Sequence, residues 1–353
     1  FVRSCRRARV QCLVVELCSW VLRWDVHRGF DLDAAVLTNI GTDHISDHGN
    51  ARNYVAAKRR MFRDLRVGAA SPRPVAIVNG DDARRAEFLT PLAPGVRAMT
   101  FGLSRPAAPA TRRSAAGMHG AHVWASDVVH TNSGTAFTVH GLGDRPLPCR
   151  TPLHGAFNVA NVLAALACVV ALGDTPRRAV ARAARLTPPP GRFTIVEPGS
   201  NGHPAVVVDY AHTPESLDAA LVAARALRPG GRVHAVFGCG GDCYKGKRPL
   251  MGAIAARRAE SIVLTSDNPR TEDPRAIAQA ILRGIPTEHR RRARVELDRA
   301  RAIQLAVIEA RAADVVVLLG KGAERTQEVR GRTSRFSDEQ QARRALDARA
   351  RLC

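Results

Sequence analysis

The 353-residue sequence has no run approaching the ~20 continuous apolar residues that a membrane-spanning helix needs, so a soluble protein without a membrane partner is expected. It also lacks a cysteine framework. Its eight cysteines, at 5, 12, 18, 149, 168, 239, 243 and 353, form no CxxC pair, which argues against a disulfide scaffold or a zinc ribbon and for a cytoplasmic home. Cys239 and Cys243 are conceivable metal ligands, but the glycines between them suit a phosphate loop better. No apolar stretch with a small-residue cleavage site follows the basic segment Phe1 to Arg7, so no secretory signal is expected. The first residue is not Met, which suggests an incomplete chain.

Aromatics are scarce, and none interleaves with the basic residues of the stretches Arg177 to Arg185 and Arg290 to Arg301. The formal charge of +21 is therefore a poor sign of nucleic-acid binding, which needs clustered cations and stacking surfaces. The basic residues are spread through Ala/Arg-rich stretches read as helical, such as Arg177 to Arg185 and Arg290 to Arg301, where solvated helix faces explain most of them. Lysine is rarer still. Only four of the 53 basic residues are Lys: Lys58, Lys245, Lys247 and Lys321. A chain so biased toward Arg is expected to keep Lys where a compact charge or a reactive amine matters.

Apolar periodicity predicts strands at Leu13 to Val15 and Ala34 to Leu37, the first running into Glu16 and the second into Thr38-Asn39. A helix is predicted over Ala51 to Leu65, with Lys58 on a partly apolar face, then a strand at Val75 to Val78. A Pro/Ala/Arg loop from Ser104 to Met118, short β segments at Ala121 to Val139 and an Ala-rich helix at Asn158 to Leu172 come next. Thr187-Pro188-Pro189-Pro190-Gly191 then makes a stiff break, where the boundary between domains 1–187 and 188–353 is expected. Beyond it strands and helices alternate: Ala205 to Asp209, Pro214 to Leu227, Arg232 to Phe237, Leu250 to Arg258, Ser261 to Thr265, Pro274 to Leu282, Arg299 to Ala312 and Asp314 to Leu319. This predicts an α/β fold with a parallel sheet covered on both faces.

Between a predicted strand and helix lies Phe237-Gly238-Cys239-Gly240-Gly241-Asp242-Cys243-Tyr244-Lys245-Gly246-Lys247-Arg248-Pro249. Its glycines and positive charge suit an anion, although it fits neither the dinucleotide nor the Walker pattern. This block, with Thr265-Ser266-Asp267-Asn268-Pro269-Arg270-Thr271-Glu272-Asp273-Pro274, resembles the C-terminal domain of Mur ligases of the diaminopimelate-adding branch. The resemblance runs collinearly through Thr38-Asn39, Asp43-His44, His48-Gly49, Tyr54 to Lys58, His154-Gly155, Phe157-Asn158, Asn161, Gly191-Arg192, Asp209 to Pro214, Gly320-Lys321-Gly322 and Phe336-Ser337-Asp338.

That resemblance implies a central ATPase-like parallel-sheet domain, incomplete at its start, followed by a Rossmann-like domain. The implied activity is ATP-dependent addition of diaminopimelate to a UDP-muramoyl dipeptide through an acyl phosphate, by a cytoplasmic monomer with no nucleic-acid partner. By resemblance, Glu16, His44 and a carbamylated Lys58 serve Mg²⁺, Asn158 and Asn161 contact adenine, Arg192 reaches the ATP phosphates, and Asp209 meets the ribose. His212 and Lys245 are also implied on the ATP side, and Ser19 on the acceptor side. Asn268 and Arg270, with Asp267 beside them, grip the diaminopimelate carboxylate, while Gly320 and Glu324 meet its distal amine.

The sequence departs from the family on the substrate side. Cys18, Trp20, Val26, Cys243, Tyr244 and Ala323 stand where the family has other residues, and the Gly-Lys-Thr loop that precedes Glu16 in the family is absent. Turnover by this chain alone is therefore not expected. The alternatives are a divergent ligase for another amino acid or acceptor, and an inactive homologue that only binds nucleotide.

Overall fold

The computed structural model describes residues 2–29, 31–41, 45–69, 71–105, 120–131 and 133–352. The short helices α1 (Val2–Arg7) and α2 (Ser19–Arg23) precede β1 (Ala34–Leu37), α3 (Ala51–Arg63), β2 (Val75–Asn79), α4 (Arg85–Leu89) and β3 (Arg97–Gly102). Then come β4 (Ala121–Thr131), β5 (Gly134–His140), β6 (Leu147–Thr151), α5 (Ala156–Ala171) and α6 (Pro176–Ala183). The six strands form one sheet in chain order, β1 to β4 parallel and β5 and β6 antiparallel.

Parallel strands are buried on both faces, which is why Val75-Ala76-Ile77-Val78 is apolar without alternation. Val75 and Ile77 pack in one cluster with residues of α5 and α6, whereas Ala76 and Val78 join Tyr54, Val55 and Phe62 of α3 and Phe88 of α4. Asn50 starts α3 by accepting from the backbone N–H of Asn53 at 2.9 Å, so the helix bearing Lys58 begins at a defined point.

The strand predicted at Leu13 to Val15 does not form. This segment is irregular, and Val14 is 90% exposed. A strand exists only through its ladder, and among the described strands β1 pairs with β2 alone, leaving no partner beside Leu13 to Val15. The stretch Arg290 to Arg301 is not one helix either: it passes through a 3₁₀ turn, a three-residue edge strand and a loop before a helix begins at Arg299. The predicted loop Ser104 to Met118 lies outside the described residues from position 106 onward.

After Thr187 to Gly191, which carries no helix or strand, come β7 (Thr194–Pro198), β8 (Ala205–Asp209), α7 (Pro214–Leu227), β9 (Val233–Phe237), α8 (Lys247–Arg258) and β10 (Ser261–Leu264). They are followed by α9 (Pro274–Leu282), β11 (Ala293–Val295), α10 (Arg299–Glu309), β12 (Val315–Leu319), β13 (Thr326–Val329), β14 (Arg332–Arg335) and α11 (Asp338–Ala350). The second sheet has the order β11-β10-β9-β12-β8-β7, parallel except for the edge strand β7. Ala205, Val207, Ala235 and Phe237 pack with α7, α8 and α9, while Val206, Val208, Val236 and Leu318 pack with α10 and α11. Thr213 and Ser216 form a capping box around Pro214, fixing where the chain leaves β8 and enters α7. The loops after β8, β9, β10 and β12 therefore gather at one sheet edge, where open α/β folds bind ligands.

Candidate active site

At that edge three side chains close a ring. The ammonium of Lys321 donates to Asn268 Oδ1 at 3.0 Å and to Glu324 Oε2 at 2.8 Å, and Asn268 Nδ2 donates to the same Glu324 oxygen at 2.9 Å. Lys321 is wholly buried. Two glycines set its place, Gly320 at φ +109° and Gly322 at φ +52°, a backbone region that side chains with a Cβ rarely adopt. A Cβ on Gly320 would stand 2.3 Å from Asp267 Oδ2, so Asp267, Asn268, Gly320 and Glu324 lie together. Gln327 of β13 donates to the Asp267 carbonyl at 2.9 Å, and the Glu328 N–H donates to Asn268 Oδ1 at 3.0 Å. The β13–β14 hairpin, which sequence reasoning missed, thus braces the loop after β10.

Arg270 belongs to the same loop, but its guanidinium is already engaged. Nη1 donates to the Gly241 carbonyl at 2.5 Å and to Cys243 Sγ at 3.1 Å, and Nε lies 3.9 Å from Glu328. The glycine-rich segment is likewise locked to this loop. Arg248, buried, makes a two-pronged pair with Glu272 at 3.0 and 2.9 Å, and Lys245 reaches the same carboxylate at 3.3 Å. Hydrogen bonds from Arg248, outweighing desolvation, hold the Glu272 carboxyl down at about 2. The cationic cradle read from the sequence therefore carries a resident carboxylate. Lys245 is exposed and its pairing with Glu272 is loose, whereas Arg248 has a structural role. Burial pushes the Cys239 thiol up to about 12, against Met251 in the core, whereas Cys243 is exposed beside Arg270.

On the neighbouring strand, Asp209 accepts from the backbone N–H groups of Phe193 and Ala211, each at 2.7 Å. Burial raises its pKa, partly offset by those bonds and by Arg192. Its first task is to hold the turn at Gly191 to Phe193, although each oxygen keeps a second lone pair for a ligand. Arg192 is exposed, with its guanidinium 4.6 Å above the Tyr210 ring. His212 Nδ1 bonds the Tyr210 carbonyl at 2.8 Å. Gly191, at φ +68°, packs so tightly on the Gly320 to Ala323 turn that a Cβ would stand 2.0 Å from the Ala323 nitrogen. Arg192 and Lys321 are thereby carried by touching turns. Asn158 and Asn161 sit in the first two turns of α5, Asn158 donating to the His154 carbonyl at 2.8 Å and Asn161 to Asn158 at 3.3 Å. Phe157 meets Phe193 edge to face at 6.1 Å, which places this end of α5 beside the second sheet.

Lys58 lies half-buried on α3, its amine 5.4 Å from the Tyr54 ring centre. Burial lowers its pKa, and the opposing influences are Cys18 and then Glu16, so the structure brings Glu16 into electrostatic range of this amine. An amine with weakened basicity in electrostatic range of an exposed carboxylate would fit a hard cation once the amine becomes a carbamate. His44, the third expected member, lies outside the described residues. Ser19 departs from expectation: it is 2% exposed at the start of α2 rather than open to a cleft, and its Oγ has no hydrogen-bond partner.

Sequence reasoning also missed a cluster beneath α3. Asp25, His27 and Asp64 place ligand atoms within 4.8 Å of one another. Arginines occupy the carboxylates: Arg60 pairs with Asp25 at 3.0 Å, and Arg28 and Arg63 pair with Asp64 at 2.9 and 3.1 Å. Burial works against the charge on Asp64, yet hydrogen bonds from Arg63, Arg28 and His27 hold it well below the usual carboxylate range. This is an ion-pair network and no cation site.

Residues 1–169 match the family model of the Mur ligase middle domain, and residues 191–322 match that of the Mur ligase glutamate ligase domain. The chain is 41% identical over 350 residues to the UDP-N-acetylmuramoyl-L-alanyl-D-glutamate–2,6-diaminopimelate ligase of Ralstonia nicotianae, covering 97% of this chain and 64% of that protein. It is 40% identical over 342 residues to the protein of the same name from Synechococcus elongatus, again covering 64% of the relative. The chain thus spans just under two thirds of the length of these relatives. A solved structure of a 2,6-diaminopimelate ligase of this name superposes with a TM-score of 0.59 at 32% identity, covering 95% of this chain and 64% of the other. The UDP-N-acetylmuramate-alanine ligase MurC of Thermotoga maritima shares the fold at a TM-score of 0.63 and 16% identity, covering 95% of this chain and 62% of the other.

Proposed function

The chain belongs to the Mur ligase family, and from that premise we propose that it is the ATP-binding and amino-acid-binding part of a ligase that adds diaminopimelate to UDP-N-acetylmuramoyl-L-alanyl-D-glutamate. Residues 1–187 are assigned to the central domain and 188–353 to the C-terminal one. In the proposed reaction an acceptor carboxylate oxygen attacks the γ-phosphorus of ATP and ADP departs. The amine of diaminopimelate then attacks the acyl carbon, inorganic phosphate leaves, and the amine gives up a proton.

The proposed residue roles are those the resemblance implies, and placement and chemistry support them. Arg192 is offered to the phosphates from an exposed position, Asn158 and Asn161 to the adenine from the start of α5, and Asp209 and His212 to the nucleotide from the end of β8. Glu16, His44 and carbamylated Lys58 would hold Mg²⁺, which supplies neutralisation of phosphate charge. Asn268, Arg270, Gly320 and Glu324 would take the amino acid. The observation that carries this reading is the closed ring of Asn268, Lys321 and Glu324 next to Arg270, which sets a carboxylate for an ammonium beside a guanidinium for a carboxylate. Calorimetric titration of the chain with meso-diaminopimelate tests it. Saturable binding that L-lysine does not match is expected, and no binding of diaminopimelate overturns it.

A second reading, a family member that binds without turnover, draws on one observation: Cys243 and the Gly241 carbonyl hold the Arg270 guanidinium that the ligand would need. Nucleotide binding that requires Mg²⁺, with no phosphate release when diaminopimelate and the UDP-muramoyl dipeptide are supplied, would select it.

A further inference from the structure

The chain keeps four lysines, and one of them, Lys321, cannot touch a ligand because it is wholly buried. Its hydrogen bonds show what it does instead. Asn268 Oδ1 accepts both from Lys321 Nζ at 3.0 Å and from the Glu328 N–H at 3.0 Å, so the carbonyl end of this amide is fixed by two donors. The NH₂ end is thereby committed to Glu324 Oε2, 2.9 Å away. An amide turned the other way would set NH₂ against an ammonium and an oxygen against a carboxylate.

The second effect is electrostatic. The Glu324 side chain is only 33% exposed, and the ammonium 2.8 Å away offsets its charge. Both ring bonds fall on Oε2, so Oε1 keeps its lone pairs for a ligand. An acid with a fixed counter-charge attracts a lone cation far less than an unpaired acid in the same low-dielectric setting. A ligand that brings its own carboxylate to Arg270 loses little from this.

We propose that Lys321 is a positioning and specificity-determining residue, which orients Asn268, holds Glu324, and tunes the subsite to the zwitterionic end of an amino acid over an isolated ammonium. The proposal rests on placing the amino acid at Asn268, Arg270 and Glu324. A merely structural lysine would weaken every ligand alike when removed, whereas this role changes the ranking of ligands.

The test uses the whole chain carrying Lys321→Met, with folding followed by thermal melting. In ¹⁵N-resolved spectra the Asn268 side-chain amide is expected to shift and lose its protection from exchange. The dissociation constant for meso-diaminopimelate is expected to rise about tenfold and its preference over L-lysine to fall about tenfold, while nucleotide affinity changes less than about twofold. Lys321→Arg is expected not to rescue, since a planar fork cannot replace a compact ammonium between these partners. Should Lys321→Met not fold, Lys321→Met with Glu324→Gln removes both charges and is expected to bind the two amino acids alike. An unmoved Asn268 amide, or a preference for diaminopimelate retained in the folded variant, overturns the proposal. If the unmodified chain binds neither amino acid, the ligand placement fails and with it the specificity claim, while the amide signal separately decides whether Lys321 orients Asn268.

Discussion

Arg299 and Asp338 form a two-pronged ion pair, Nε to Oδ1 at 2.7 Å and Nη2 to Oδ2 at 2.6 Å, in which neither side chain reaches solvent. The same guanidinium donates to the Leu319 carbonyl at 2.9 Å and the Ser266 carbonyl at 3.3 Å. One side chain thereby ties the ends of β10 and β12, which carry Asp267, Asn268 and Gly320, to the starts of α10 and α11. Asp338→Ala, which strands a buried cation, is expected to cost about 3–5 kcal/mol in urea unfolding. The neutral pair Arg299→Met with Asp338→Leu should cost much less. Equal losses in the two variants would refute this account of the pair.

Glu272 gives the loops an acid-sensitive lock. Its carboxyl sits at about 2 in the folded chain against an ordinary value of 4.5, so the lock contributes fully above about 4.5 and is lost as pH falls through about 2. Glu272→Gln is expected to lower stability on the order of 1–3 kcal/mol at pH 7, with the difference from the unmodified chain vanishing toward pH 2. Denaturant midpoints taken from pH 7 downward would show it.

Lys58 changes stability with pH in the same direction, for a different reason. Burial favours its neutral form, so below pH 10.5 there is a window in which the unfolded chain binds more protons and stability rises with pH. Lys58→Met should flatten that slope. The same weakened basicity predicts that ¹³C-bicarbonate labels Lys58 as a carbamate increasingly as pH rises, and mass spectrometry after chemical trapping should find the label there and not on Lys245.

Gly191 tests the contact between the turns that carry Arg192 and Lys321. Gly191→Ala must relieve a Cβ only 2.0 Å from the Ala323 nitrogen while holding φ +68°. A loss of about 2–4 kcal/mol, visible as a lower melting temperature, is expected.

Arg192 should separate binding from folding. Its exposed contact with Tyr210 is worth at most about 1 kcal/mol, so Arg192→Ala should melt nearly as the unmodified chain does. Its affinity for an ATP analogue should nevertheless fall about tenfold or more if the proposed charge-assisted phosphate contact is removed. Unchanged nucleotide affinity in the folded variant would remove Arg192 from the site.

Local signals in the sequence were enough for much of the fold. Continuous apolar runs such as Val75 to Val78 and Val206 to Val208 specify strands covered on both faces, and Thr213-Pro214 and Asp273-Pro274 mark helix starts through their own chemistry. The scarcity of lysine even singled out Lys321, without saying what it does. Tertiary structure alone decided the rest, because those outcomes depend on partners distant in the chain. Leu13 to Val15 has the composition of a strand but no ladder beside it. The cations of the glycine-rich loop are met by Glu272, more than twenty residues away, and Lys321 meets Asn268 across 53 positions. Periodicity records which face of a segment is apolar, but only folding brings a particular carboxylate, amide and amine within hydrogen-bonding distance.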